Sequence, residues 1–453
     1  MDQAAQRVEP PPLEPGFEPA AVWNRAYRDR VASAGGDRAL LRVARGSRTV
    51  ACREEGILSS RDDTLCENGR FVERIAKFML WQTGGDSVSV EGSAPLDRFL
   101  SRTYSAAGAR GFDRAFFDDL YGSGGDSGSV RALGGNREGC RLGFDLGASD
   151  RKCAAVKDGE LVHSEEIPWD PASFRDPKRH FEGILDSLKR AAAHLPRVDA
   201  IGGSVAGVFS DGNLRVSSLF RGMPASLLRA RWPGIVAGIR EAFGGVPVAV
   251  ANDGAVAALA GAEALGARRV LGLSLGSSLA AGYVGDGGEI SDGIDELAFA
   301  PIDYAPEAPA DEWSGDRGCA VSYLSQQGTA RFMDRVGIRG PAGESLPERL
   351  LRLQRAAANG DERADRVYET VGVCLAHAIA HFADFYPLRH VLLFGRVLSG
   401  EGGGRAVRSA NAALAESYPD LSGVRLHVPE ERQRRHGQAA AAASLPALPG
   451  AGA

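Results

Sequence analysis

The sequence predicts an α/β protein built around a duplicated unit, with a smaller α/β region ahead of it. Residues 142–146, 154–156 and 161–167 are short apolar runs broken by turn residues and followed by helical spacing over 181–194, a strand meander and a helix. Residues 270–275 and 280–284 repeat the strand–turn–strand pattern around Gly276-Ser277-Ser278. Recurrence of one supersecondary unit with similar turns marks a duplicated fold, and a 453-residue chain accommodates it, since domains usually take ~100–200 residues.

Composition narrows the function. With 44% hydrophobic and 25% charged residues the chain is an ordinary globular one, and its net charge of −5 gives no electrostatic footprint for nucleic acid. No run approaches the ~20 apolar residues that span a bilayer, and the Pro- and Glu-containing N-terminus lacks the basic and apolar regions of a signal peptide. The expectation is a cytoplasmic protein with no membrane partner. Six scattered cysteines without a CxxC pair read as reduced, mostly buried thiols.

Along the chain, residues 1–20 are rich in Pro and Glu, the composition of a flexible arm. Residues 39–43 and 48–53 flank Gly46-Ser47 as a hairpin, 71–81 place Phe71, Ile75, Phe78 and Leu80 at helical spacing, and 87–90 alternate like a strand. This gives an N-terminal α/β module over 21–138, without a helix-turn-helix pattern, ending in a Gly- and Ser-rich linker at 122–135. Beyond it, 200–204 and 246–251 read as strands, 254–265 and 364–385 as helices, and 391–394 as a strand ending at Gly395.

Three places carry chemistry. In Leu142-Gly-Phe-Asp-Leu-Gly-Ala-Ser-Asp-Arg-Lys152 an apolar strand ends in Asp145 and turns through Gly147 and Ser149 to Lys152. Gly147 admits an anion close to the backbone, Ser149 and exposed N–H groups donate to phosphate oxygens, and Asp145 can hold a hydrated Mg²⁺. A plain hairpin is the competing reading, here and at Gly276-Ser277-Ser278. In Pro247-Val-Ala-Val-Ala-Asn252-Asp253-Gly254 an apolar strand ends in a carboxylate where a helix begins. That place suits a general base, and it equally suits a helix cap.

Taken in order, Asp145-Leu-Gly-Ala-Ser149, Asn252-Asp253, the 273–282 turn and the strand end at 392–395 resemble the actin/hexokinase/Hsp70 ATPase superfamily. Within it the chain is similar to the ROK family of bacterial sugar kinases and repressors, over residues 139–447. The resemblance implies a duplicated fold of two lobes around an interlobe cleft that binds ATP, Mg²⁺ and a sugar. Residues 139–255 with 430–447 would form the first lobe and 256–429 the second, with Gly437-Gln438 in the closing helix. It further implies nucleotide or phosphate contacts at Asp145, Gly147, Ser149, Lys152, Gly276, Ser277, Ser278 and Gly395, and Asp253 as the base taking the proton of the attacking sugar hydroxyl. Substrate contacts would fall at Asn252, Ser204, Gly207, Arg221 and Glu296. Arg221 suits an anionic substrate group, or is an exposed surface arginine. Similar family members are often dimers.

Departures from the family pattern are as informative. The second turn keeps Gly276 and a hydroxyl but has Ser278, Ala280 and Ala281 where glycines are usual, and Ala206 replaces a proline near Gly207. The family's Cys-x-Cys-Gly-x-x-Gly-Cys zinc motif survives as Glu312-Trp-Ser314-Gly315-Asp-Arg-Gly318-Cys319, so no zinc site is expected. Residues 295–303 lack the family's aligned sugar-binding Glu and its His. Glu296, Asp303, Asp311, Glu312, Trp313, Asp316 and Arg317 make a charged, aromatic surface there, either for another ligand or as a loop rebuilt around the missing metal. Phe394-Gly395 stands for a Gly-Gly pair, and 400–404 serve as a close approach to nucleotide or as a mobile loop. His377 and His381 lie on an ordinary helix face. The expected activity is ATP-dependent phosphorylation of a hydroxyl on a sugar or sugar-like molecule; the alternatives are a non-catalytic ligand-binding regulator and an ATPase with a protein partner.

Overall fold

A computed structural model describes residues 8–59, 64–121, 133–210, 212–291, 293–429 and 431–449. The N-terminal region comprises α1 (Ala20–Ala34), β1 (Asp37–Arg45), β2 (Arg48–Ile57), α2 (Leu65–Thr83), β3 (Ser87–Glu91), α3 (Ala94–Thr103) and α4 (Gly111–Tyr121). Its strands pair antiparallel in the order β2-β1-β3, and Gly46 at φ 59° closes the predicted hairpin. Helix α2 extends well beyond the predicted 71–81 and is buried on nearly every side, with Glu73, Arg74 and Lys77 buried among its apolar residues.

Residues 8–20 are not the flexible arm that their composition suggests. Leu13 and Phe17 are buried in the core of the second lobe, the Phe17 ring meets Tyr323 edge-on at 5.1 Å, and the Leu13 N–H donates to Thr370 Oγ1 at 3.2 Å. Irregular backbone carries no periodicity to read, yet two large side chains and an ion pair between Glu14 and Arg331 fix it to the body. Most of the expected linker, residues 122–132, lies outside the described residues. Its end is tied down, since Leu133 bridges Ile290 and the Gly134 N–H donates to the Leu445 carbonyl at 3.1 Å.

The first lobe runs through β4 (Cys140–Leu146), β5 (Asp150–Lys157), β6 (Glu160–Pro168), α5 (Pro177–Ala192), β7 (Ala200–Val205), β8 (Val208–Ser210), β9 (Asn213–Val216), α6 (Ala225–Ala242) and β10 (Val248–Asn252), after which α7 (Asp253–Leu265) packs against the strands of the second lobe. Its sheet has the order β10-β7-β4-β5-β6, with β10, β7 and β4 parallel and the β4-β5-β6 meander antiparallel. Every residue of β4 is buried, including the charged Arg141 and Asp145 among its apolar residues.

The second lobe repeats this plan with β11 (Val270–Leu275), β12 (Leu279–Val284), α8 (Gln326–Arg335), α9 (Leu346–Ala358), α10 (Glu362–Phe382), β13 (His390–Phe394), α11 (Gly400–Ser417) and β14 (Arg425–His427). The order is β12-β11-β13-β14, with β11, β13 and β14 parallel and β12 antiparallel. The third strand of the meander shrinks to a bridge between Val284 and Ile290. Residues 400–404 are not a mobile loop. They open α11, where a Cβ on Gly402 would sit 2.0 Å from the Tyr368 ring of α10 and one on Gly403 would sit 1.8 Å from the Leu398 carbonyl.

Helix α12 (Glu431–Ala442) returns to the first lobe and crosses its sheet at close range. Glycine is required beneath it: a Cβ on Gly143 or Gly202 would lie 1.8 Å from the Ala439 carbonyl or 1.6 Å from the Ala442 carbonyl. All six cysteines are unpaired, four of them buried, and no described helix is long and apolar enough to cross a membrane.

Candidate active site

Strand register assembles the first half of the site. Asp145 pairs with Ser204 across β4 and β7, and Val205 pairs with Asn252 across β7 and β10, so the chemistry-bearing residues stand together at the carboxyl ends of adjacent parallel strands. In open α/β sheets ligands bind at this edge. Asp145 is buried, and Ser204 Oγ donates to its Oδ1 at 2.7 Å. Gln438 of α12 ties the group together through Nε2, which donates to Ser204 Oγ at 2.9 Å and to the Asp253 carbonyl at 3.0 Å. Gln438 is a site residue that the sequence reading passed over. Its only signal was its place next to Gly437 in the closing helix.

Burial pushes the Asp145 carboxyl up to about 6; the Ser204 bond and the Lys152 charge oppose this, and the Asp253 charge adds to it. Burial also raises Asp253, despite a hydrogen bond from the Gly254 N–H at 3.0 Å. Glu296 is pushed up to about 7, first by burial and then by the charges of Asp253 and Asp295. The Asp253 charge therefore reaches both Asp145 and Glu296, and Lys152 lies 3.8 Å from Asp145.

The remaining predicted residues divide by place. Gly147 accepts from Trp169 Nε1 at 2.8 Å, a bond that fixes the first turn, while Ser149 is exposed and donates to Asp150 Oδ2 at 2.9 Å. Lys152 turns its ammonium onto Asp150 at 2.5 Å. Across the site, Ser277 and Ser278 are exposed in the β11–β12 turn, closed by the Gly276 N–H donating to the Ser278 carbonyl at 2.9 Å. Gly395, at φ 96°, must be glycine because a Cβ would meet the Leu275 carbonyl at 2.2 Å. A cavity of about 660 Å³ joins both halves, lined by Asp253, Gly254, Ser274, Gly395 and Gln438 among others.

Asn252 and Asp253 separate the two readings of their motif. Asn252 is the helix cap: its Oδ1 accepts from the Gly254 and Ala255 N–H groups at 2.7 and 3.2 Å, and its Nδ2 donates to the Gly207 carbonyl at 2.8 Å. Asp253 is the first residue of α7 and lines the cavity. Arg221 is exposed on a turn and does not join the group.

A family model matches residues 141–445, well over half of the chain, and its description is the ROK family. This protein belongs to the ROK family. Among solved structures it is similar to a ROK hexokinase from Thermus thermophilus, at 20% identity and a TM-score of 0.53, covering 67% of this chain and 97% of that one. It is also similar to a ROK family transcriptional regulator homologous to the E. coli MLC protein, at 21% identity and a TM-score of 0.53, covering 68% and 78%. These likenesses show the fold. None of the curated proteins compared matches the chain.

Against the ROK pattern, the loop at residues 295–319 departs in sequence. Cys319 is buried and its thiol pushed up to about 12 by burial, so it stays protonated; Ser314 Oγ donates to Asp311 at 2.7 Å; Trp313 is 73% exposed. Phe299 stacks on Trp81 of α2 at 4.1 Å. The N-terminal module thus reaches the loop, a contact that sequence reasoning did not foresee.

Among the described residues no three His, Cys, Asp or Glu side chains converge to hold a metal ion by themselves. Asp145 nevertheless fits a hydrated Mg²⁺ that arrives with a nucleotide, because a magnesium ion in such sites is held by one or two carboxylates plus phosphate oxygens and water. The two turns, each with exposed serine hydroxyls, fit the phosphates.

Proposed function

We propose that this ROK protein is an ATP-dependent phosphotransferase that phosphorylates a hydroxyl group of a sugar or sugar-like alcohol. The observation that carries the reading is the hydrogen-bonded chain from the Asp145 carboxyl through Ser204 and Gln438 to the Asp253 backbone, with Gln438 and Asp253 lining one cavity. A binder without chemistry has little use for two such carboxyls, since each costs free energy to bury without a partner.

Bound Mg·ATP would supply the phosphoryl group. Asp145 would hold the hydrated ion, and Ser149, Ser277 and Ser278 would donate to phosphate oxygens. Asp253 would accept the proton of the attacking hydroxyl; its raised pKa makes it a stronger base in its ionised form. Glu296 lies close enough to Asp253 for its titration to feel that charge.

The test uses the full chain with Mg·ATP, a panel of hexoses, amino sugars and polyols, and ADP release as the readout. An acceptor that raises ADP release above the background, and fails to do so with Asp253→Asn, is the expected result. Absence of Mg-nucleotide binding by calorimetry would end the kinase reading. It would leave a ligand-binding regulator, a reading that draws on the serines standing in the second turn where closer backbone approach to phosphate needs glycine.

A further inference from the structure

Helix α2 meets the loop at residues 295–319 twice. At the loop's start, the Asp295 and Glu296 N–H groups donate to the carbonyls of Gln82 and Trp81, at 3.0 and 2.9 Å, at the C-terminal end of α2. These are helix-end carbonyls with no partner inside the helix, and the loop supplies the missing donors. At the loop's end, Asp316 receives three cations from the module: Lys77 at 2.6 Å, Arg110 at 2.6 Å and Arg74 at 3.1 Å.

That cluster is buried and balanced. Lys77 is 0% exposed and Asp113, its second partner at 3.3 Å, is 1% exposed. Glu73 pairs with both Arg74 and Arg110, so three cations meet three carboxylates. Asp316 is the carboxylate that the second lobe contributes. A buried cation tolerates little movement of its partners, because any separation leaves a charge without solvent or counter-charge. The arrangement therefore fixes the spacing between Asp316 and the Asp295–Glu296 backbone along one rigid helix.

We propose that α2 is a built-in splint for residues 295–316, with Lys77 as the positioning residue that locks Asp316 while the Trp81 and Gln82 carbonyls hold the Glu296 and Asp295 backbone in place. The splint stands on geometry alone; that the loop serves an acceptor rests on the phosphotransferase reading.

The experiment is amide hydrogen exchange on the full chain, reading the peptide that contains Asp295 and Glu296, with calorimetric binding of Mg·AMPPNP as a second readout. Lys77→Met should speed exchange of these amides at least tenfold while the nucleotide Kd stays within twofold, and Lys77→Arg should restore slow exchange. Asp316→Asn, which leaves Lys77 paired with Asp113, should give an intermediate rate and decides the matter if Lys77→Met does not fold. Unchanged exchange in a folded Lys77→Met protein, or equal loosening of loop and nucleotide site, overturns the proposal. A wild type that binds no nucleotide sinks the kinase reading and leaves the exchange result to judge the splint.

Discussion

Ser204 donates a 2.7 Å hydrogen bond to Asp145 from the neighbouring parallel strand, and the serine is itself fully buried. The carboxylate is thus oriented by the sheet before any cation arrives. Ser204 in turn accepts from Gln438, so α12 is tied directly to the strand end that carries Asp145.

Removing that hydroxyl should move the titration of Asp145. Its carboxyl stands at about 6 with the Ser204 bond opposing the effect of burial, so Ser204→Ala raises it further and leaves less carboxylate at pH 7. A hydrogen bond to a charged group is worth roughly 1.5–3 kcal/mol, about one to two pKa units, which lowers the carboxylate fraction at pH 7, and with it the Mg·AMPPNP affinity, about 2- to 15-fold. The loss should shrink at pH 8.5, where the carboxyl ionises in both proteins. Parallel curves for wild type and variant from pH 6 to 8.5 would contradict it.

Asp253→Asn keeps the side-chain shape at the start of α7 and removes the proton acceptor. Turnover with the best acceptor should fall by about 10²–10⁴-fold. Nucleotide affinity should hold within a factor of about two, because the turns proposed to hold the phosphates lie elsewhere. Intact turnover would remove Asp253 from the role of base.

Gly202→Ala places a methyl 1.6 Å from the Ala442 carbonyl, and backbone on both sides prevents escape. Overpacking of this kind costs about 1–3 kcal/mol. Denaturant unfolding should show that loss, while Gly234→Ala, whose Cβ meets nothing within 4 Å, should be neutral or slightly stabilising. Equal midpoints for the two variants would mean that α12 does not seat on β7.

Glu296 gives a pH signature. Its pKa rises from 4.5 unfolded to about 7 folded, so the folded state holds a proton that the unfolded state has released between these values. Its contribution to stability is complete below pH 4.5 and is lost as pH rises through about 7. Glu296→Gln cannot lose a proton, so its stability relative to wild type should climb across that window, by about 1–3 kcal/mol at one pKa unit per 1.36 kcal/mol. A difference that stays flat from pH 4.5 to 8 would show Glu296 to be unperturbed.

Local pattern carried much of the fold. The apolar strand β4 and its turn at Gly147, the hairpin around Gly46, and α7 after Asn252 were all legible, because strand alternation, turn glycines and caps are set by neighbours in sequence. Family-like spacing of Asp145, Asn252-Asp253 and Gly395 then pointed to two lobes. What stayed hidden were contacts between distant segments. Pro-rich residues 8–20 looked unstructured, though Leu13 and Phe17 complete a core built by residues hundreds of positions away. Gln438 carried no motif, and its role exists only where α12 crosses β7.

The sequence by itself determined which turns, strands and caps exist and which carboxylates stand at strand ends, because those follow from short-range backbone preference. Tertiary structure alone decided that Gln438 bridges Ser204 and Asp253, that Arg221 stays apart, and that α2 grips the loop through Lys77 and Asp316. Desolvation and long-range charge pairing arise only once segments meet, and a buried lysine on a helix reads as an ordinary surface residue until its counter-ion arrives from 239 positions away.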